Sequence, residues 1–140
     1  MRESHNVVFD TNIWVFFFLK NKTSEISAMK ANTGIEVFTC QELTDELKDV
    51  LKRRKIEKQL SHTVDECLNI FELSTTSVTI HKKFSGCRDP KDNYLFDRAI
   101  QSNADYLVSG DRDVRETEIE NVEVVSLTKF KEILRNKNRG

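Results

Sequence analysis

The sequence predicts an α/β fold: a three-layer α/β/α sandwich around a mostly parallel, five-stranded sheet. Three observations carry that prediction. Short apolar segments alternate with helical ones along the chain, as strand–helix–strand units require. The 140 residues suit one domain and leave little for a second. With one proline, four glycines and no repeat, low-complexity tract or linker, nothing divides the chain. A single domain is therefore expected over residues 1–140, with the basic tail from about 136 to 140 fraying.

Asn6 to Phe9 reads as a short buried strand, and Asp10-Thr-Asn12 follows as a cluster able to cap the next helix. Ile13 to Leu19 is apolar on nearly every side and predicts a buried helix. Thr23 to Asn32 is helical and ends near Gly34. Glu36 to Thr39 is the second strand. Gln41 to Arg54 is an amphipathic helix with Leu43, Leu47, Val50 and Leu51 on one face. Ser61 to Leu73 is another, opened by Ser61 and carrying Val64, Leu68 and Phe71. Ser77 to His81 is the third strand. Pro90 to Ser102 is helical, Asp105 to Ser109 the fourth strand and Asn121 to Val125 the fifth, with a last helix near Lys129 to Arg135. In such sheets ligands gather beyond the carboxyl ends of the strands. Asp10 and Asp111, both following strands, share that end.

Hydrophobic residues make up 38% and charged residues 32% of the chain, so a core forms beneath a heavily solvated surface. A formal net charge of −1 gives no global attraction to nucleic acid, so an anionic substrate needs local patches or a metal. Three cysteines, Cys40, Cys67 and Cys87, with no CxxC spacing argue against a disulfide framework and a zinc knuckle. They read as buried or incidental thiols in a reducing compartment. The run Ile13 to Leu19 is too short to cross a bilayer and lacks a basic leader. A cytoplasmic protein with no membrane partner is expected.

The chemistry rests on acidic residues. Carboxylates that lose water and repel one another cost stability, so a domain that gathers several does so to hold a hard cation. Thr11 and Asn12 can serve as helix caps, which frees Asp10 for such a role. Among Glu42, Asp45, Glu46 and Asp49, a rotation of about 100° per residue puts Glu46 nearest the apolar stripe and Asp45 almost opposite. Asp89 and Pro90 look like the cap and first turn of a helix, which leaves Asp92 on the face of Phe96 and Ala99. A capping contact back to Asp89 is the plainer alternative for Asp92. Asp111 follows Val108-Ser-Gly110, with Asp113 close behind. Taken alone, Asp111 reads as a turn aspartate. Four such residues at one sheet end are more specific than any one.

The ordered set Val7-Val-Phe-Asp10-Thr-Asn12, Glu46-Leu47 on an amphipathic helix, Arg88-Asp-Pro-Lys-Asp92-Asn93 and Ala104-Asp-Tyr-Leu-Val-Ser-Gly-Asp111-Arg-Asp113 resembles the PIN-domain family. Within it, the chain is most similar to small bacterial proteins that serve as toxin components of toxin–antitoxin pairs. The resemblance spans essentially the whole chain, including Val124-Val-Ser-Leu-Thr-Lys-Phe130. Two departures are Cys40, where serine is frequent, and the unusually aromatic helix after Asp10. The resemblance implies a Mg²⁺- or Mn²⁺-dependent endoribonuclease whose catalytic and metal-binding acids are Asp10, Glu46, Asp92 and Asp111, with Asp113 as a helper. Thr11 and Asn12 would position a carboxylate or water behind the ligands. It also implies an RNA substrate, a cognate antitoxin and a homodimer. Oxygen ligands select hard cations, and metal-assisted hydrolysis requires no catalytic histidine.

His5, His62 and His81 show no ligand spacing and read as surface residues. Lys52-Arg-Arg-Lys55 with Lys58 is explained by a solvated helix end, where cations are favourable. Arg53, Arg54 and Lys55 could also guide an RNA backbone. A competing class is a non-catalytic RNA-binding or assembly module on the same fold, separated from an enzyme by metal-dependent RNA cleavage. A phosphoryl-receiver reading finds no convincing lysine and nucleophilic aspartate pattern.

Overall fold

The computed structural model describes residues 5–79, 95, 97–99, 102–119 and 121–138. The chain runs β1 (Asn6–Phe9), α1 (Thr11–Leu19), α2 (Ser24–Thr33), β2 (Glu36–Thr39), α3 (Gln41–Leu51), α4 (Arg54–Glu57), α5 (Val64–Ser74) and β3 (Thr76–Ser77). After helical residues at 95 and 97–99 come β4 (Tyr106–Val108), α6 (Arg112–Arg115), β5 (Glu123–Val125) and α7 (Leu127–Asn138).

The five strands form one sheet in the order β3-β2-β1-β4-β5, and every strand pair is parallel. Val7, Val8 and Phe9 are all fully buried, as are Leu107 and Val108. Successive side chains of a strand point to opposite faces, so both faces are covered by helices. This is the three-layer architecture expected from the alternating pattern.

Local chemistry explains the elements. α1 has no polar face, and Ile13, Trp14, Val15, Phe17 and Phe18 are all buried. Trp14 meets Phe71 of α5 edge-on with ring centroids 4.8 Å apart, and Phe9 meets Phe130 of α7 at 5.9 Å. α3 buries Leu43, Leu47 and Leu51 completely. Gly34 ends α2 with φ 68°, a left-handed position that glycine occupies without Cβ strain.

Several boundaries differ from expectation. α3 stops at Leu51 rather than Arg54, because Arg53 turns extended (φ −62°, ψ 130°) and opens α4. That bend returns Ile56 and Leu60 to the core, where both pack half-buried. α5 is opened by Thr63 instead of Ser61, through a reciprocal capping box with Glu66. The described part of the third strand is Thr76–Ser77, extended by a bond from the Val78 amide to the Thr39 carbonyl. Val78 and Thr79 are not strand, and Ile80, His81 and the start of the helix expected from Pro90 lie outside the described residues.

Candidate metal centre

The chain fills the sheet outward in both directions from β1. β2 and β3 lie on one side of it, β4 and β5 on the other. The reversal of strand order falls between β1 and β4, and such a switch point opens a crevice at the carboxyl ends of the two strands. Phe9 pairs with Val108 and Val108 with Val125, so these three strands end level. The ladder continues one step further: the Asp10 amide donates to the Val108 carbonyl at 2.9 Å, and the Ser109 amide to that of Val125 at 3.0 Å. Asp10 and Ser109 therefore stand side by side at the crevice.

Asp10 is only 6% exposed. It occupies the cap position of α1, yet its side chain makes no helix-capping hydrogen bond. Instead Oδ2 accepts the Ser109 hydroxyl at 2.7 Å. Burial pushes the Asp10 carboxyl above the usual carboxylate range. The Ser109 hydroxyl, the Thr11 amide and the charge of Arg98 pull it down, and the charge of Glu46 pushes it up. Glu46 itself is exposed on α3, but its charge reaches Asp10. Asp45, one position earlier, faces solvent and accepts a bond from Gln41 Nε2 at 2.9 Å.

Asp111 joins the same end through Ser109, whose hydroxyl oxygen accepts the Asp111 amide at 3.0 Å. One Asp111 carboxyl oxygen caps α6 by accepting the Asp113 amide at 2.9 Å, so the plain turn role is part of what this residue does. Asp113 is half-buried in the first turn of α6. The structure thus brings Asp10, Ser109 and Asp111 into one hydrogen-bonded chain, with Glu46 near enough to act on Asp10. Asp92 lies outside the described residues. Among the described residues, no three His, Cys, Asp or Glu side chains converge as a metal cluster.

Thr11 is buried beside Asp10, and Asn12 is exposed. Two residues at this end were not anticipated, Ser109 and Arg98. Arg98 is fully buried and donates from Nη2 to the Phe9 carbonyl at 3.1 Å. The Lys52–Lys55 run is exposed at the α3–α4 junction. α3 starts just past the carboxyl end of β2 and runs about 16 Å at 1.5 Å per residue, which carries that run away from the crevice. His5 is partly covered at the surface. It is a quarter exposed, 3.5 Å from Asp105, and meets Tyr106 edge-on where β1 and β4 begin, at the opposite end of the sheet. A groove of about 400 Å³ between α2 and α7, lined by Ala28, Met29 and Leu134 among others, includes none of the candidate acids.

A doubly wound α/β domain with acidic residues at its switch point is the class that fold and site define together. A family model described as "PIN domain" matches residues 6–113, well over half of the chain, and the chain belongs to the PIN-domain family. No curated protein matches it. Among solved structures, the "Crystal structure of VapBC2 from Rickettsia felis bound to a DNA fragment from their promoter" is similar. The TM-score is 0.58 at 19% identity, covering 85% of this chain and 96% of that chain. At that identity the likeness is one of fold.

Proposed function

We propose that the chain is a Mg²⁺- or Mn²⁺-dependent endoribonuclease acting as the toxin of a toxin–antitoxin pair. The observation that carries this reading is Asp10, a carboxylate almost removed from water at the switch point of a PIN-family sheet. Its ionised form is opposed by burial and by Glu46. A divalent cation would reverse both effects.

The donor set suits such an ion. Apart from the Arg98 guanidinium, the side-chain groups acting on Asp10 are carboxylate and hydroxyl oxygens, the ligands hard cations prefer. Thr11 Oγ1, buried next to Asp10, has no hydrogen-bond partner among the described residues, leaving a donor-acceptor for water or ligand. Asp10, Glu46, Asp92 and Asp111 would hold the ion, with Asp113 assisting and Thr11 and Asn12 behind them. When bound, the ion supplies Lewis-acid assistance to phosphodiester hydrolysis and offsets charge developing on phosphate.

The chain's own residues do the positioning. Ser109 fixes the rotamer of Asp10 with one hydroxyl and the backbone of Asp111 with the same oxygen. The Asp113 amide fixes the carboxylate of Asp111. Arg53, Arg54 and Lys55, beyond the far end of α3 at the start of α4, would meet RNA flanking the cleaved bond rather than the scissile phosphate. The similar solved structure is VapBC2 bound to a DNA fragment from their promoter. That supports a protein antitoxin here by analogy of fold. A homodimer in the cytoplasm completes the reading, and no described helix is long and apolar enough to cross a membrane.

Incubating purified protein with RNA in Mg²⁺ or Mn²⁺, with and without excess chelator, tests the activity. Cleavage that requires the metal is expected; undiminished cleavage in chelator contradicts the mechanism.

A further inference from the structure

We infer that Arg98 is the resident cation of the acidic site, a positioning residue that offsets the charge of Asp10 when no metal is bound and ties β1 to α3. The inference takes its functional meaning from the metal-site reading above.

A fully buried arginine is rare, and removing its charge from water is unfavourable unless partners compensate. The partners of Arg98 are not arbitrary. Nη2 donates to the carbonyl of Phe9, the residue that precedes Asp10. Nη1 reaches Cys40 Sγ at 3.8 Å, and Cys40 is the cap residue of α3, the helix that carries Glu46. One guanidinium thus touches the end of the strand that presents Asp10 and the start of the helix that presents Glu46. Its own helical segment follows Asp92 in the chain. Through its bond to the residue before Asp10, the guanidinium sets a fixed positive charge near enough to act on that carboxylate. Arginine suits the task because its planar fork stays charged and bonds in two directions at once. A metal-free site with several carboxylates would otherwise hold them against mutual repulsion alone.

The plainer alternative is a core tether whose charge is incidental. A double-mutant cycle on the metal-free protein separates the two, because a tether contributes equally whatever residue 10 carries. The variants are Arg98→Met, Asp10→Asn and the pair, each read by its urea midpoint. Charge offset predicts that Arg98→Met lowers the midpoint of wild type at least about twice as far as that of Asp10→Asn. Arg98→Lys, which keeps the charge and loses the fork, should fall between wild type and Arg98→Met. Equal losses in both backgrounds overturn the inference. If Arg98→Met does not fold, recovery of folding in the double variant supports it, and continued failure overturns it. In calorimetric titration Arg98→Met should also bind Mn²⁺ more tightly than wild type, since a fixed cation no longer opposes the ion. Where wild type binds Mn²⁺, unchanged or weaker binding by Arg98→Met counts against it. The cycle is run without metal, so a wild type that binds no Mn²⁺ tells against the ribonuclease reading and not against the coupling of Arg98 to Asp10.

Discussion

Asp10 and Ser109 form the pair on which the site is built. A carboxylate that has lost nearly all its water accepts one short hydroxyl bond, and that bond is too little to restore the usual acidity. The sign of the consequence follows from linkage. Because the folded protein holds the Asp10 proton more tightly than the unfolded chain, ionisation opposes folding. That penalty is absent below the ordinary aspartate range and is fully developed once pH has risen past the elevated folded pKa. Asp10→Asn escapes it. In chelator at neutral pH, Asp10→Asn should be more stable than wild type by about 1 kcal/mol, the usual exchange at a functional site. The advantage should shrink as pH falls through the carboxylate range in denaturant melts. An Asp10→Asn variant less stable than wild type at every pH would show that the carboxylate serves the fold. On α3 the neighbours divide: Glu46→Gln should lose cleavage, whereas Asp45→Asn, bonded to Gln41 on the solvent side, should cleave as wild type does. Inverted results would place the helix face wrongly.

At this scale the sequence showed Asp10 and Asp111 as acids that each follow a buried strand, and the structure links both to Ser109 at that end of the sheet. Ser109 was not visible as a site residue. It reads as the last residue of a strand, and only the parallel pairing of β1 with β4 sets it beside Asp10. Arg98 was hidden by a sound default, that arginine seeks water. Its burial depends on which carbonyls and sulfurs the fold brings under the helix, and no local pattern records that.

The helices and strands were legible wherever a face or a cap repeats. α3 declared itself by Leu43, Leu47 and Leu51, and all three are fully buried. Leu47→Ala should therefore destabilise by about 3 kcal/mol, the transfer loss plus a cavity, measured by urea denaturation. A loss near zero would mean that α3 does not pack as described. The end of α3 was less legible. Four consecutive cations continue a helix well enough by propensity, and the break at Arg53 arises from the pull of Ile56 and Leu60 onto the core. The basic stretch at that junction is exposed on every residue from Lys52 to Lys55. Replacing Arg53 and Arg54 with alanine should leave the chemical step unchanged, weaken RNA binding and reduce its salt slope by about one unit per lost phosphate contact. An unchanged slope would assign the stretch to solvation of the helix end. α6 went unanticipated because four residues are too few for periodicity, although Asp111 caps it in the usual way.

Over the whole molecule, strand order does what no single residue can. The alternating pattern implies a parallel sheet, and the order β3-β2-β1-β4-β5 puts the reversal where β1 and β4 end together. Residues almost a hundred positions apart, Asp10 and Ser109, become hydrogen-bonded neighbours there. The rule that ligands bind beyond the carboxyl ends of strands had already placed Asp10 and Asp111 at one end. What it could not supply was the depth of Asp10 or the cation beneath it, since both depend on packing of three layers. If the acids hold a metal, the ion binds the folded domain and not the unfolded chain, so it must stabilise by mass action. The most direct measurement titrates Mn²⁺ into chelator-treated wild type and Asp10→Asn while following RNA cleavage and melting temperature on the same samples. Wild type should gain both over one range of Mn²⁺ concentration, and Asp10→Asn should gain neither. Cleavage by wild type that precedes any added metal, or equal metal-dependent gains in Asp10→Asn, would contradict the account.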